Sequence, residues 1–166
     1  MFPPELIAKA TKVLNRSRSK AVRVVTAESC TGGLLIGCLT EIAGSSDVID
    51  RGFVPYTNEA KQLQLGVPED LFYRAGAVSG EVAQAMVEGA LSRSDADVAV
   101  SCTGIAGPGS ATDSKPVGLV HLAGARRGGK VTLLKREHGD IGRCSVRLAA
   151  IDDALDILLK QIDAVT

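Results

Sequence analysis

The stretch TAESCTGG, residues 26–33, places hydroxyl, carboxylate and thiol side chains beside two glycines. It follows the apolar run 21–25, which is typical of a β-strand. A strand that ends in a glycine-rich turn points free backbone N–H groups towards a ligand, as α/β proteins often do. We therefore expect this turn to bind a ligand; the alternative is a helix N-terminus that Ser29 or Thr31 only caps.

Cys30 is one candidate nucleophile in this turn, because a helix N-terminus lowers the pKa of a thiol. Against this role, neither of the two histidines lies nearby in the sequence to act as its base. The turn also lacks the Gly-Lys-Ser/Thr of a P-loop and does not match the dinucleotide-binding fingerprint. These residues alone leave open whether Ser29 or Cys30 reacts.

A second group of reactive side chains lies in GSSDVIDRGFVPYTNEAK, residues 44–61, which contains Ser45, Ser46, Tyr56 and Lys61. A serine hydroxyl is a weak nucleophile until a base takes its proton, and a lysine can be that base if burial keeps it neutral. A tyrosine between them can orient the hydroxyl or relay the proton. The alternative is that these residues have no catalytic role, because serine pairs are common in turns and a lysine on an amphipathic helix is usually solvated.

Another strand-to-glycine junction is CTGIAGPGSATDSKPVG, residues 102–118. Its length is typical of a functional loop rather than a simple connection.

Composition excludes several classes of function. Nineteen basic and nineteen acidic residues give no net charge, and long runs of like charge are absent, so neither a nucleic acid nor a membrane surface is an expected partner. The N-terminal segment does not resemble a signal peptide, and no segment approaches about 20 apolar residues, so we expect a cytoplasmic protein. Four scattered cysteines and two histidines favour neither a zinc site nor a disulfide framework, so we expect no metal and no cofactor.

Helices and strands alternate along the chain. Apolar periodicity predicts helices after Pro3-Pro4, from near Thr31, after a cap at Thr57 or Asn58, after a cap at Ser79, and over 144–165. Strands are predicted over 21–27, around 52–56, over 95–104, and as a hairpin that turns at 127–129. We expect one domain, residues 1–166, folded as a three-layer α/β/α sandwich whose mixed sheet is covered by helices on both faces.

Several motifs in a fixed order give this chain a family resemblance. The order TAESCTGG, GSS, RGFVPYTNEAK, GAVSGEVAQAM, SCTGIAGPGS, KPVG and GDIGR resembles the C-terminal domain of the CinA competence/damage-inducible family. The resemblance covers about residues 5–160. We expect the short standalone form of the family, in which no molybdopterin-binding-like domain precedes this one.

The resemblance implies a metal-independent amidase that hydrolyses nicotinamide mononucleotide to nicotinic acid mononucleotide and ammonia. Ser46 would be the nucleophile, completed by Tyr56 and Lys61. Similar proteins have Gly-Asp-Arg before the last helix, whereas GDIGR here sets two more residues before the arginine, so either Arg143 or Arg147 would hold the phosphate. We expect a homo-oligomer, a dimer or larger. The expected substrate contacts also include Glu28, Ser29, Cys30, Thr31, Gly32, Gly33, Ser45, Thr103 and Gly104.

Two alternatives remain at this point. One is a nucleotide-binding module without catalysis, in which both glycine-rich turns hold a phosphate and the Ser-Lys pair is structural. The other is a thiol amidase that uses Cys30.

Overall fold

The computed structural model describes residues 1–165, and a five-stranded mixed sheet forms the centre of the fold. The strand order is β2-β1-β3-β4-β5. A 3-10 turn, Ser45–Asp47, precedes β2. The strands are β1 (Val24–Glu28), β2 (Ile49–Phe53), β3 (Val98–Gly104), β4 (Leu119–Arg126) and β5 (Thr132–Glu137). The helices are α1 (Pro4–Lys20), α2 (Leu34–Thr40), α3 (Asn58–Leu65), α4 (Glu69–Arg74), α5 (Gly80–Ser92) and α6 (Arg143–Asp163).

The strand directions decide which loops meet. Strands β1, β2 and β3 are parallel, with Val24 opposite both Ile49 and Val98, whereas β4 and β5 add as an antiparallel hairpin. The carboxyl ends of parallel strands lie at the same edge of a sheet. The segments that follow β1, β2 and β3 therefore converge, and these are the segments that carry the motifs.

Apolar side chains cover both faces of the sheet. Alternate residues of β3 point to opposite faces, so Val98 and Val100 pack with α1, α2 and α6, whereas Ala99 packs with α3 and α5. Each face has its own buried cluster of mainly Ala, Val, Ile and Leu side chains. This arrangement confirms the predicted α/β sandwich with a mixed sheet.

Local sequence explains most element boundaries. Thr57 and Ser79 accept hydrogen bonds from the backbone N–H groups of Ala60 and Val82, at 3.1 Å and 3.2 Å, and so begin α3 and α5. Strand β2 lies earlier than predicted, because its pairing with β1 ends at Phe53. The short helix α4 was not predicted. Within residues 1–165, no helix is both long and apolar enough to cross a membrane.

Candidate active site

A small cavity opens at the sheet edge where β1, β2 and β3 end. Its volume is about 190 Å³. The walls come from the segments after these three strands, from the linker before α5 and from the start of α6. The lining residues are Ser29, Cys30, Tyr56, Asn58, Lys61, Ala77, Val78, Thr103, Gly104, Ala106 and Arg143.

Lys61 is the unusual side chain of this cavity. It lies in the first turn of α3, is only 2% exposed, and donates a hydrogen bond from Nζ to the Tyr56 carbonyl oxygen at 3.1 Å. Within residues 1–165 it forms no salt bridge with a carboxylate. Burial lowers the pKa of Lys61, while the neighbouring Cys30, Cys102 and Glu59 act in the opposite direction. Such an amine is easier to deprotonate than an ordinary lysine, which a general base requires.

Ser29 brings a hydroxyl to the same cavity. It is the first residue after β1, and its backbone N–H donates to the Cys102 carbonyl oxygen of β3 at 3.0 Å. The residue is 8% exposed and lines the cavity together with Lys61. Ser29 and Lys61 therefore line the same small cavity, and Lys61 has no carboxylate partner among residues 1–165.

The surroundings of Cys30 favour its protonated thiol, which is a poor nucleophile. A hydrogen bond to Cys102 and burial together raise the pKa of the Cys30 thiol well above its ordinary value. The same contact lowers the pKa of Cys102, which is fully buried. Because the thiolate is the reactive form, this geometry disfavours attack by Cys30 on an amide.

The structure separates the two candidate arginines, which lie one helical turn apart on α6. Arg143 is exposed at the cavity, donating to the Gly107 carbonyl oxygen at 2.8 Å and to the Tyr56 hydroxyl at 3.2 Å. Arg147 instead donates to the carbonyl oxygens of Cys30 and Thr31, at 3.1 Å and 2.7 Å, and does not line the cavity. Arg147 therefore stabilises the 29–33 turn from outside the cavity, and Arg143 is the arginine available to a ligand.

Glu28 supports the start of α2 and lies outside the cavity lining, where a substrate contact was predicted. Its side chain is fully buried and accepts five hydrogen bonds. Three come from the backbone N–H groups of Gly33, Leu35 and Ile36, which begin α2, at 2.8–3.0 Å. The other two come from the hydroxyls of Thr26 and Thr31. A buried carboxylate at this helix N-terminus satisfies N–H groups that would otherwise lack partners.

Three other predicted contacts from the same turn also lie outside the cavity lining. The Thr31 hydroxyl is used by Glu28 and lies 3.0 Å from the Cys102 sulfur. Gly32 and Gly33 have φ angles of 59° and 90°, which let the chain turn into α2. These residues shape the turn, and only Ser29 and Cys30 of the turn face the cavity.

Ser45 and Ser46 lie at the opposite end of β2 from Tyr56 and Lys61. Both serines belong to the 3-10 turn before β2, where Arg18 of α1 donates to the Gly44 carbonyl oxygen at 2.7 Å. The five residues of β2 rise about 3.3 Å each, so roughly 16 Å of strand lies between the two ends. The prediction that Ser46 joins Tyr56 and Lys61 in one catalytic group is therefore wrong within a single chain.

The remaining predicted residues, Thr103 and Gly104, line the cavity from the end of β3. The Thr103 hydroxyl donates to the Ala77 carbonyl oxygen at 2.8 Å, which fastens the linker before α5 to the sheet. That linker and Asn58 were missed as cavity walls. In the sequence, the flanking glycine, the Ser79 cap and the motif GAVSGEVAQAM marked this linker, but none of them indicated that it lines a cavity. Among residues 1–165, His, Cys, Asp and Glu side chains form no group of three or more that could hold a metal ion.

Comparison with known families identifies the domain. Residues 7–162 match the CinA C-terminal domain family. The chain belongs to this family. CinA-like proteins from Synechococcus sp. (strain RCC307) and Geobacter sulfurreducens are 47% and 43% identical over 154 and 152 residues. Each match covers 92% of this chain but only 37% and 36% of the relative, so the chain spans about a third of the length of these relatives.

Solved structures of the family share nearly the whole fold. The competence/damage inducible protein CihA from Agrobacterium tumefaciens is 50% identical, with a TM-score of 0.95 over 97% of this chain and 98% of that chain. A competence-damaged protein (CinA) superfamily protein from Escherichia coli is 31% identical, with a TM-score of 0.89 over 96% of this chain and 93% of that chain.

Proposed function

We propose that this CinA-family domain is a nicotinamide-nucleotide amidase, which converts nicotinamide mononucleotide and water to nicotinic acid mononucleotide and ammonia. The observation that carries the proposal is Lys61, a lysine 2% exposed and without a carboxylate partner among residues 1–165, in the same cavity as the Ser29 hydroxyl. A neutral lysine beside a serine is a known way to activate a hydroxyl for acyl transfer.

In the proposed reaction, the neutral Lys61 amine takes the proton of Ser29 as its oxygen attacks the carboxamide carbon. The backbone N–H groups of Ser29, Gly32 and Gly33 already have acceptors, so those of Cys30 and Thr31 would stabilise the oxyanion. Loss of such an interaction typically costs on the order of a hundredfold in rate. Lys61 then returns the proton to the departing nitrogen, and ammonia leaves. Water, activated by the same amine, hydrolyses the acyl-enzyme and restores Ser29.

The size of the cavity indicates how the nucleotide would bind. At about 190 Å³, it is smaller than the roughly 300–1,000 Å³ of most ligand sites. It would therefore enclose the pyridine carboxamide and leave the ribose phosphate at the mouth. Arg143 and Tyr56 are both exposed at this mouth. A guanidinium suits a phosphate dianion because it can donate two parallel hydrogen bonds.

Ser29 replaces Ser46 as the nucleophile in this proposal because it lies in the cavity. Ser46 could reach a cavity of this kind only in another copy of the chain. The expected homo-oligomer remains a proposal, and variants of the two serines distinguish the two arrangements.

The test is ammonia release from nicotinamide mononucleotide, with and without a chelator, by the parent protein, Ser29→Ala and Ser46→Ala. We expect chelator-independent turnover, loss of turnover in Ser29→Ala and near-parental turnover in Ser46→Ala, the matched control. If the parent protein binds nicotinic acid mononucleotide but releases no ammonia, the domain is a nucleotide-binding module instead. Loss of turnover in a folded Ser46→Ala variant would contradict the assignment of Ser29 and place the attack between copies.

A further inference from the structure

The linker before α5, residues 75–79, forms one wall of the cavity through Ala77 and Val78. It belongs to no helix or strand, and α4, the helix that leads into it, contains no fully buried residue. Strand pairing and core packing therefore contribute little to its position. We propose that Lys115, on the loop between β3 and β4, is a positioning residue that holds this wall against the pyridine ring of the substrate.

Side-chain donors hold three successive carbonyl oxygens of the linker. The donor–acceptor pairs are Lys115 Nζ to Ala75 at 2.6 Å, the Ser79 hydroxyl to Gly76 at 2.9 Å, and the Thr103 hydroxyl to Ala77 at 2.8 Å. Ser79 belongs to the linker itself, and Thr103 is part of β3. Of these three donors, only Lys115 joins the linker to a second loop.

The Lys115 contact lies where the cavity wall begins. Ala75 is the C-cap of α4, and a lysine ammonium suits the last carbonyl oxygens of a helix because it can donate hydrogen bonds to them. The ammonium also lies close to Gly76, where an added Cβ would be 2.5 Å from Nζ. Gly76 has a φ of 77°, which lets the chain turn from α4 into the linker.

The loop that carries Lys115, residues 105–118, also contacts the other side of the cavity mouth. Thr112 and Lys115 form a backbone bridge in which each N–H donates to the carbonyl oxygen of the other, at 2.9 Å and 3.1 Å. Near the start of the loop, the Gly107 carbonyl oxygen accepts a hydrogen bond from Arg143 at 2.8 Å. The loop therefore connects Arg143, where the phosphate would bind, with the linker that would contact the ring.

Loss of the Lys115 contact would leave the wall free to move away from Ser29 and Lys61. In the proposed reaction, the wall holds the ring so that its carboxamide lies beside the nucleophile. A displacement of about 1 Å at a reacting centre can cost on the order of a hundredfold in rate. Arg143 would still bind the phosphate, so the loss should appear in kcat rather than in KM. This effect on turnover rests on the proposed amidase function.

The experiment compares Lys115→Met with Lys130→Met by hydrogen exchange and by ammonia release. The exchange of the Ala75 and Gly76 amides reports on the linker, because these N–H groups donate to carbonyl oxygens of α4 at 2.9 Å and 3.1 Å. Methionine has a side chain of similar length but cannot donate a hydrogen bond. Lys130 is the matched control, because it is exposed in the β4–β5 turn, and Lys130→Met should match the parent protein.

In Lys115→Met, we expect exchange of the two linker amides at least about tenfold faster, kcat at least about tenfold lower and KM within about threefold of the parent value. Lys115→Arg keeps a donor for Ala75 and should restore most of the lost turnover. Parental kcat in a folded Lys115→Met variant, with or without a change in exchange or in the free energy of unfolding, would overturn the positioning role. A parent protein that releases no ammonia would contradict the proposed amidase, and parental exchange in Lys115→Met would then still show that Lys115 does not hold the wall.

Discussion

Replacing Glu28 with glutamine tests whether this carboxylate supports the start of α2. The glutamine oxygen can accept the hydrogen bonds that one carboxylate oxygen of Glu28 accepts. The glutamine NH₂ group takes the place of the other carboxylate oxygen, where it meets hydrogen-bond donors and cannot accept. At best, two of the five bonds are lost, those from Thr26 and Ile36. At about 1.5–3 kcal/mol for each hydrogen bond to a charged group, the cost is about 3–6 kcal/mol. This is a large share of the roughly 5–15 kcal/mol that stabilises a typical domain.

Urea denaturation of Glu28→Gln, followed by far-ultraviolet circular dichroism, measures this cost. For a domain of this size, the corresponding fall in Tm is roughly 6–24 °C. Glu41→Gln is the matched control, because Glu41 is exposed at the other end of α2 and should change stability by less than about 0.5 kcal/mol. A Glu28→Gln variant within about 1 kcal/mol of the parent protein would refute the view that this carboxylate holds α2 and its turn.

Two further predictions concern the arginines and Lys61. Arg143→Ala should raise KM for nicotinamide mononucleotide at least about tenfold, and it should lower the free energy of unfolding by less than Arg147→Ala does, because Arg143 is exposed and frees one carbonyl oxygen. Arg147→Ala should chiefly lower that free energy, by about 1–3 kcal/mol, because it frees two carbonyl oxygens. Equal KM values in both variants would contradict the assignment. Because the folded-state pKa of Lys61 is lowered, the unfolded chain binds more protons between that pKa and the ordinary 10.5, so urea stability should rise with pH across this window in the parent protein. Lys61→Met should lose this rise, and the same slope in both proteins would show that Lys61 is not desolvated.

The sheet was predictable because its strands are marked by strong local patterns. Apolar runs that end in glycine-rich turns identified β1 and β3, and the glycine pair at 128–129 identified the β4–β5 hairpin. Helix α4 was missed because six residues are too few to show helical periodicity. The order of the strands depends on packing between distant segments, and no local pattern encodes it.

The site was predictable by segment but not by residue. The motifs after β1, β2 and β3 do meet, and Tyr56, Lys61 and Thr103 line one cavity as expected. Ser46 was misplaced because residues 46 and 56, although only ten positions apart, are separated by the whole of β2 and lie at opposite ends of that strand. The roles of Glu28 and Arg147 were also hidden, because a charged side chain that satisfies buried backbone groups looks in sequence like one that binds a ligand.

The most direct test of the central claim, a neutral Lys61 acting as general base, is the rate of ammonia release from nicotinamide mononucleotide by the parent protein and Lys61→Arg across pH. We predict that kcat/KM of the parent protein rises with pH through an ionisation below 10.5. Arginine stays protonated, so Lys61→Arg should lose at least about a hundredfold in kcat, and urea denaturation confirms that it is folded. Turnover by Lys61→Arg close to that of the parent protein, or a parental profile without such an ionisation, would contradict the account.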